Sequence, residues 1–211
     1  DYGMIVARSD PTALKHKGLT YFYVDMKTPG IEAKPIKQIS GSANFNEVFF
    51  NDVRIPDSQR IGAEGDGWKV SLTTLMNERL AVGDPPGLDF DQIFEASKEI
   101  EVEDGLAVKN SEVRQKMADW YIQSRGLQYT KYRSMTALSK GQTPGPELSI
   151  SKLVTASKMQ DVSSYALDLM DMSGMVHQDK NPILKNLFQT GYFFSAAMRI
   201  GGGTDEVLRN I

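Results

Sequence analysis

"IGAEGDGWKVSLTTLMNERLAV", residues 61–82, is where this chain changes character. Its first eight residues are punctuated by glycines and acids, a loop signature. From Gly67 onward, Trp68, Leu72, Leu75, Met76 and Val82 recur at helical spacing on one stripe, which predicts a helix over residues 67–82. Upstream the pattern is different. "YGMIVAR" (2–8), "LTYFYVDM" (19–26), "IEAKPIKQI" (31–39) and "EVFFNDVRI" (47–55) are rich in Val, Ile, Tyr and Phe and are separated by turn residues. Short strands at short spacing, with no helix between them, predict an antiparallel sheet. "YFYVDM" alternates poorly, which predicts cover on both of its faces.

Downstream, helical spacing dominates. A weak amphipathic segment occupies 88–101. A long helix is predicted over about 111–140, with Val113, Met117, Trp120, Leu127, Met135 and Leu138 on its stripe, a tolerated Gly126 inside and Gly141 as its stop. The next is predicted to open at "PGPELS", with Pro146 in the first helical position, and to run to Ser173-Gly174. The last opens at "NPILKN", where Asn181 caps and Pro182 follows, and carries Leu184, Leu187, Phe188, Phe194 and Met198 into "RIGGGTDEVLRNI" (199–211). Strands first and helices after mean an α+β chain: the end of a mainly antiparallel β-domain (residues 1–60), then an up-and-down four-helix bundle (residues 61–211).

Composition narrows the chemistry. Across 211 residues, 24 Lys+Arg face 27 Asp+Glu, with no long run of one sign. That argues against a nucleic-acid or membrane-surface footprint. With no Cys, disulfides, thiolate metal sites and Cys nucleophiles are excluded. His16 and His177 are the whole histidine complement, too few for a His-rich metal site. No apolar stretch reaches the roughly 18 residues of a membrane span.

Two places could carry chemistry. "GGGT" (201–204) lacks the Lys of a phosphate loop and follows a helix rather than a strand, so it reads as a helix–loop–helix joint or an anion-facing turn. Thr204 can cap the short helix beyond it, with Asp205 and Glu206 in the first turn. Glu78, in "MNERLAV", borders the apolar stripe; it is either an exposed helix-edge acid or a partly desolvated general base. "YTKYR" (129–133) reads as packing with solvated charges ahead of nucleic-acid stacking. Trp120 reads as core, His177 as loop, and Met170, Met172 and Met175 as core filler.

Taken in order, "YVDMKTPGI" (23–31), "FNEVFFNDVRIP" (45–56), "GAEGDGW" (62–68), "PGPELSISKL" (144–153) and "GGTDEVLRNI" (202–211) resemble the acyl-CoA dehydrogenase family over nearly the whole chain. The wording "TTLMNER" and "PGPE" is similar to its actinobacterial steroid and fatty acyl-CoA branch. The resemblance implies a flavoenzyme that binds FAD and oxidises an acyl-CoA thioester to the trans-2-enoyl-CoA. It also implies electron-transfer flavoprotein as acceptor, a homo- or hetero-tetramer, and the bacterial cytoplasm (the mitochondrial matrix in a eukaryote). A dry carboxylate and a polarised thioester carbonyl must act together on the weakly acidic α-proton.

Two departures shape what is expected. The family's N-terminal helical domain and its flavin-facing Trp-x-Thr stretch lie outside these residues, so the chain reads as a C-terminal portion, inactive by itself. Many members carry their base in a Tyr-Glu-Gly-Thr loop; here those positions fall on Gly201, Gly202, Gly203 and Thr204. Some branches carry it on the first helix of the C-terminal domain, directly before an arginine, and Glu78-Arg79 matches that place. The resemblance therefore implies Glu78 as base, Arg79 as a substrate-lining residue, and Thr204 and Glu206 as FAD contacts. The family's Arg-x-x-Phe-Gly motif has no clear counterpart near 84–113, and its Gln-x-x-Gly-Gly-x-Gly-Tyr motif survives only as "LMDMSGMVH" (169–177). Erosion of this kind occurs where two different chains share the flavin residues. The alternative reading is therefore a non-catalytic subunit that completes a partner's flavin site.

Overall fold

The computed structural model describes residues 1–81, 88–142, 145–176 and 183–210, without the side chains of 76–81, 148 and 183–185. The architecture is α+β, strands first and helices after. The chain divides into two compact units, Asp1–Glu78 and Arg79–Ile211.

In the first unit, β1 (Tyr2–Arg8) and β2 (Leu19–Asp25) pair antiparallel, Tyr2 opposite Asp25 and Arg8 opposite Leu19. β3 (Ile31–Ile36) and β4 (Phe45–Phe50) form a separate two-stranded ribbon, Ile31 opposite Phe50. Pro35 is accepted there because a two-stranded ribbon has edges on both sides. The short β5 (Arg60–Ile61) adds to the other side of β2, making β2 the central strand. β2 buries Thr20 and Val24 on one face and Tyr21 on the other, so both faces are covered, although Tyr23 stays exposed. The glycine-punctuated loop after β5 is tied to this strand: Gly65 N–H donates to Thr20 Oγ1 at 3.1 Å. Helix α1 (Gly67–Ala81) follows, and Thr74 Oγ1 lies 3.4 Å from the Tyr21 hydroxyl. The predicted stripe of α1 is not core: Trp68, Leu72 and Leu75 are exposed, and the Trp68 ring stacks on His16 at 4.2 Å. Val82 lies outside the described residues.

The second unit holds α2 (Phe90–Ser97), a hairpin of β6 (Glu101–Val102) and β7 (Gly105–Leu106), α3 (Ser111–Ser139), α4 (Glu147–Leu169), the single turn α5 (Met172–Met175), α6 (Ile183–Met198) and α7 (Asp205–Arg209). The long helices are those expected from the sequence. The hairpin is not: the weak segment over 88–101 is a helix of eight residues, and the chain then folds back through a turn at Glu103-Asp104. Asn110 caps α3, its Oδ1 accepting from Glu112 and Val113. Pro146 occupies the cap of α4 rather than its first turn, and α4 stops at Leu169, where Asp171 takes a left-handed φ of 50°. Asn181 and Pro182 lie outside the described residues.

The core runs through Ile93, Val113, Met117, Trp120, Met159, Val162, Ala166 and Phe188. Trp120 is fully buried, and its indole N–H donates to Asp161 Oδ2 of α4 at 2.8 Å. The far half of α3 leaves the core, so Met135 and Leu138 are exposed, as are Tyr129 and Tyr132. Phe194 of α6 is exposed as well. Met170 packs against the core, but Met172 and Met175 do not: the break at Asp171 turns α5 outward and both are exposed, against the expectation of core filler. Among the described residues, no helix is long and apolar enough to cross a membrane.

Candidate functional site

The glycine joint is the part of the expected site that the structure describes atom by atom. α6 ends at Met198, and its last turn closes with Gly201 N–H donating to the Ala197 carbonyl at 2.8 Å. Gly202 and Gly203 take φ values of 71° and 111°, conformations that L side chains rarely adopt. A Cβ built on Gly202 would meet nothing within 4 Å, so this backbone is open on its outer side. Thr204 then starts α7 as its cap, its hydroxyl accepting from Val207 N–H at 3.4 Å. Glu206 is exposed in the same turn. Its own backbone N–H, then the Thr204 hydroxyl, hold its carboxyl below the usual range, so it stays ionised. The structure thus brings a half-buried Thr204 and an exposed Glu206 together on one turn, the threonine capping as expected.

The joint is fastened to α4 by side chains that the sequence reading did not single out. Lys152 Nζ donates to the Gly203 carbonyl at 2.5 Å. Arg199 Nη1 donates to Gln160 Oε1 and Nε to Asp205 Oδ2, both at 2.8 Å. Asp205 is only 3% exposed, and its other oxygen, Oδ1, is buried without a hydrogen-bond partner among the described residues. A signal was present: opposite charges six residues apart bracket the three glycines.

Glu78 and Arg79 fall in the last turns of α1, with their side chains outside the described residues. His177 also lies outside. A second polar cluster joins three helices of the second unit. Lys158 of α4, 3% exposed, reaches Asp89 Oδ1 at 2.7 Å and Ser124 Oγ at 2.8 Å. Asp89 also caps α2, accepting from Phe90 N–H at 2.6 Å. Burial pushes the Asp89 carboxyl up, but the hydrogen bonds from Lys158, Ser124 and Phe90 outweigh it and hold it below its ordinary value. Lys158 and Ser124 are both tied to the Asp89 carboxylate that caps α2, so here they do structural work rather than nucleophilic catalysis. Among the described residues, no group of three or more His, Asp or Glu is placed to hold a metal ion.

Comparison with known proteins gives this geometry its setting. A family model described as "Acyl-CoA dehydrogenase, C-terminal domain" matches residues 65–211. The chain is 32% identical over 212 residues to the acyl-CoA dehydrogenase FadE34 of Mycobacterium tuberculosis, covering 100% of this chain and 28% of that protein. It is 31% identical to the acyl-CoA dehydrogenase IpdE1 of Mycolicibacterium smegmatis, covering 98% of this chain and 50% of the relative. Among solved structures, the ChsE4-ChsE5 complex from Mycobacterium tuberculosis superposes with a TM-score of 0.77 at 19% identity, over 100% of this chain and 55% of that one. At that identity the likeness speaks for the fold alone. The chain therefore spans half or less of the length of these curated relatives. With its C-terminal domain matched through the helices and the glycine joint, this chain belongs to the acyl-CoA dehydrogenase family.

Proposed function

We propose that this chain is the C-terminal portion of an FAD-dependent acyl-CoA dehydrogenase, with Glu78 as its base. The observation that carries the reading is the family match together with a joint that holds no carboxylate at Gly201 or Gly202. In the proposed reaction the Glu78 carboxylate takes the α-proton of the thioester. The β-hydrogen leaves with its electron pair, and a trans double bond forms between the two carbons. Bound FAD supplies the two-electron acceptor for that hydride. Arg79, next on the same helix, lines the acyl-CoA site. Electron-transfer flavoprotein is the proposed acceptor for the reduced enzyme.

The residues at the joint fit the neutral, hydroxyl-bearing part of FAD. The open backbone at Gly202 admits a flat ring or chain at close range. Glu206, held ionised, is an acceptor and suits hydroxyl or amide donors rather than a pyrophosphate. Thr204 and Glu206 are the residues that would hold the cofactor from this side.

The test uses the full-length chain, with and without a partner dehydrogenase chain. Acyl-CoA is added, and loss of flavin absorbance is followed for wild type and Glu78→Gln. Loss of bleaching in the variant, with flavin still bound, supports Glu78 as base; retained bleaching removes that role. The second reading is a non-catalytic subunit that completes a partner's flavin site. Its supports are the bare joint and the fold's likeness to one chain of a two-chain complex. Under it, Glu78→Gln changes nothing, and a variant of the partner's base abolishes bleaching.

A further inference from the structure

Three consecutive glycines lose the most freedom on ordering, and the backbone bonds from Gly201 to Ala197 and from Gly203 to Ile200 offset part of that cost. Charge holds the joint as well. The Asp205 carboxylate is buried one residue beyond Thr204, and Arg199 binds its Oδ2 through both Nε and Nη2. With no hydrogen-bond partner for Oδ1 among the described residues, the carboxylate is paired through Oδ2 with this guanidinium. The guanidinium is fixed in turn by Gln160, while Lys152, two helical turns earlier on α4, holds the Gly203 carbonyl. Both sides of the glycine joint are therefore referenced to one rigid helix.

We propose that Arg199 and Asp205 are positioning residues for the flavin-dependent reaction. The pair sets the conformation of Gly201–Gly203 and so the placement of the Thr204 hydroxyl and Glu206 carboxylate toward FAD. This rests on the FAD-dependent reading above. Asp205 is buried and acts through the joint, without touching cofactor or substrate itself.

The test compares Arg199→Met, Arg199→Lys, Gln160→Leu, Asp205→Asn and the double variant Arg199→Met/Asp205→Asn in the full-length protein with its partner chain. The readouts are the FAD dissociation constant after reconstitution of apoprotein, the visible spectrum of the bound flavin, and the melting temperature. Arg199→Met, which strands a buried carboxylate, should weaken FAD binding about tenfold or more; Gln160→Leu should have a smaller effect. The double variant should bind FAD better than Arg199→Met alone, because it removes the stranded charge. Arg199→Lys should recover part of the loss. If Arg199→Met does not fold, Gln160→Leu and the double variant carry the test. FAD affinity within about twofold of wild type in every folded variant, with only melting temperatures lowered, would overturn the assignment and leave the pair a staple of α7. Wild type that binds no FAD in any assembly would instead defeat the FAD reading, and this assignment with it.

Discussion

At the scale of single residues, the sharpest physical consequence lies in the Asp89–Lys158 pair. Asp89 has a depressed carboxyl, so its contribution to stability is fully present above the ordinary Asp range. That contribution is lost as pH falls through the lower folded-state value. Lys158→Met removes the main partner. A fully buried pair broken in this way costs about 3–5 kcal/mol; since Asp89 is half-exposed, about 2 kcal/mol is the expected loss at pH 7. The gap between wild type and variant should close as pH drops below about 4, where the unfolded carboxyl is already protonated. Urea unfolding at a series of pH values measures it, and a pH-independent gap would mean that packing, not charge, holds the lysine.

At the scale of elements, two glycines within helices make opposite predictions. Gly126 lies in α3 with open space where a methyl group would stand, nothing lying within 4 Å of it, so only propensity acts. Gly126→Ala should stabilise by about 0.5–1 kcal/mol. Gly191 of α6 is buried where a Cβ would fall 1.8 Å from Leu88 Cδ1 and 2.6 Å from Ser163 Oγ of α4. The buried Leu88 side chain and the Ser163 hydroxyl occupy the space a methyl group would take, and Gly191→Ala should destabilise by about 1–3 kcal/mol despite its better helix propensity. Thermal melts of the two variants should shift in opposite directions. The same contrast explains the stripe on α3. Its first half is capped by Asn110 and buried through Val113, Met117 and Trp120, while the second half runs past the neighbours that would cover it.

At the scale of the whole molecule, apolar surface is left open on both units. One face of β1 presents Tyr2, Met4 and Val6, the ribbon presents Phe45, Phe49 and Phe50, and α3 and α6 present Tyr129, Met135, Tyr192 and Phe194. Patches of that kind mark surfaces that associate. The 211-residue chain by itself should bind a hydrophobic dye such as ANS and self-associate as its concentration rises. Under the proposed reading as the C-terminal portion of a longer dehydrogenase, the full-length protein should do so much less. Light scattering across a dilution series decides between them.

The sequence alone determined the order of the main strands and long helices, because alternation and helical spacing are local patterns that survive without knowledge of what packs on them. It also located the glycine joint and the Thr204 cap, both properties of a few consecutive residues. The family resemblance was legible for the same reason, in short motifs read in order. Tertiary structure alone decided which apolar stripes are core: Trp68, Leu72 and Met135 have the right spacing but stay exposed, whereas Trp120 is buried against Asp161 and Tyr165. It decided that Lys158 is buried, that Gly191 is a contact point, and that Arg199 and Asp205 close a pair across the glycines onto Gln160. Those are meetings of residues distant along the chain, and a side chain's burial and charge state depend on what arrives beside it, which no local pattern encodes.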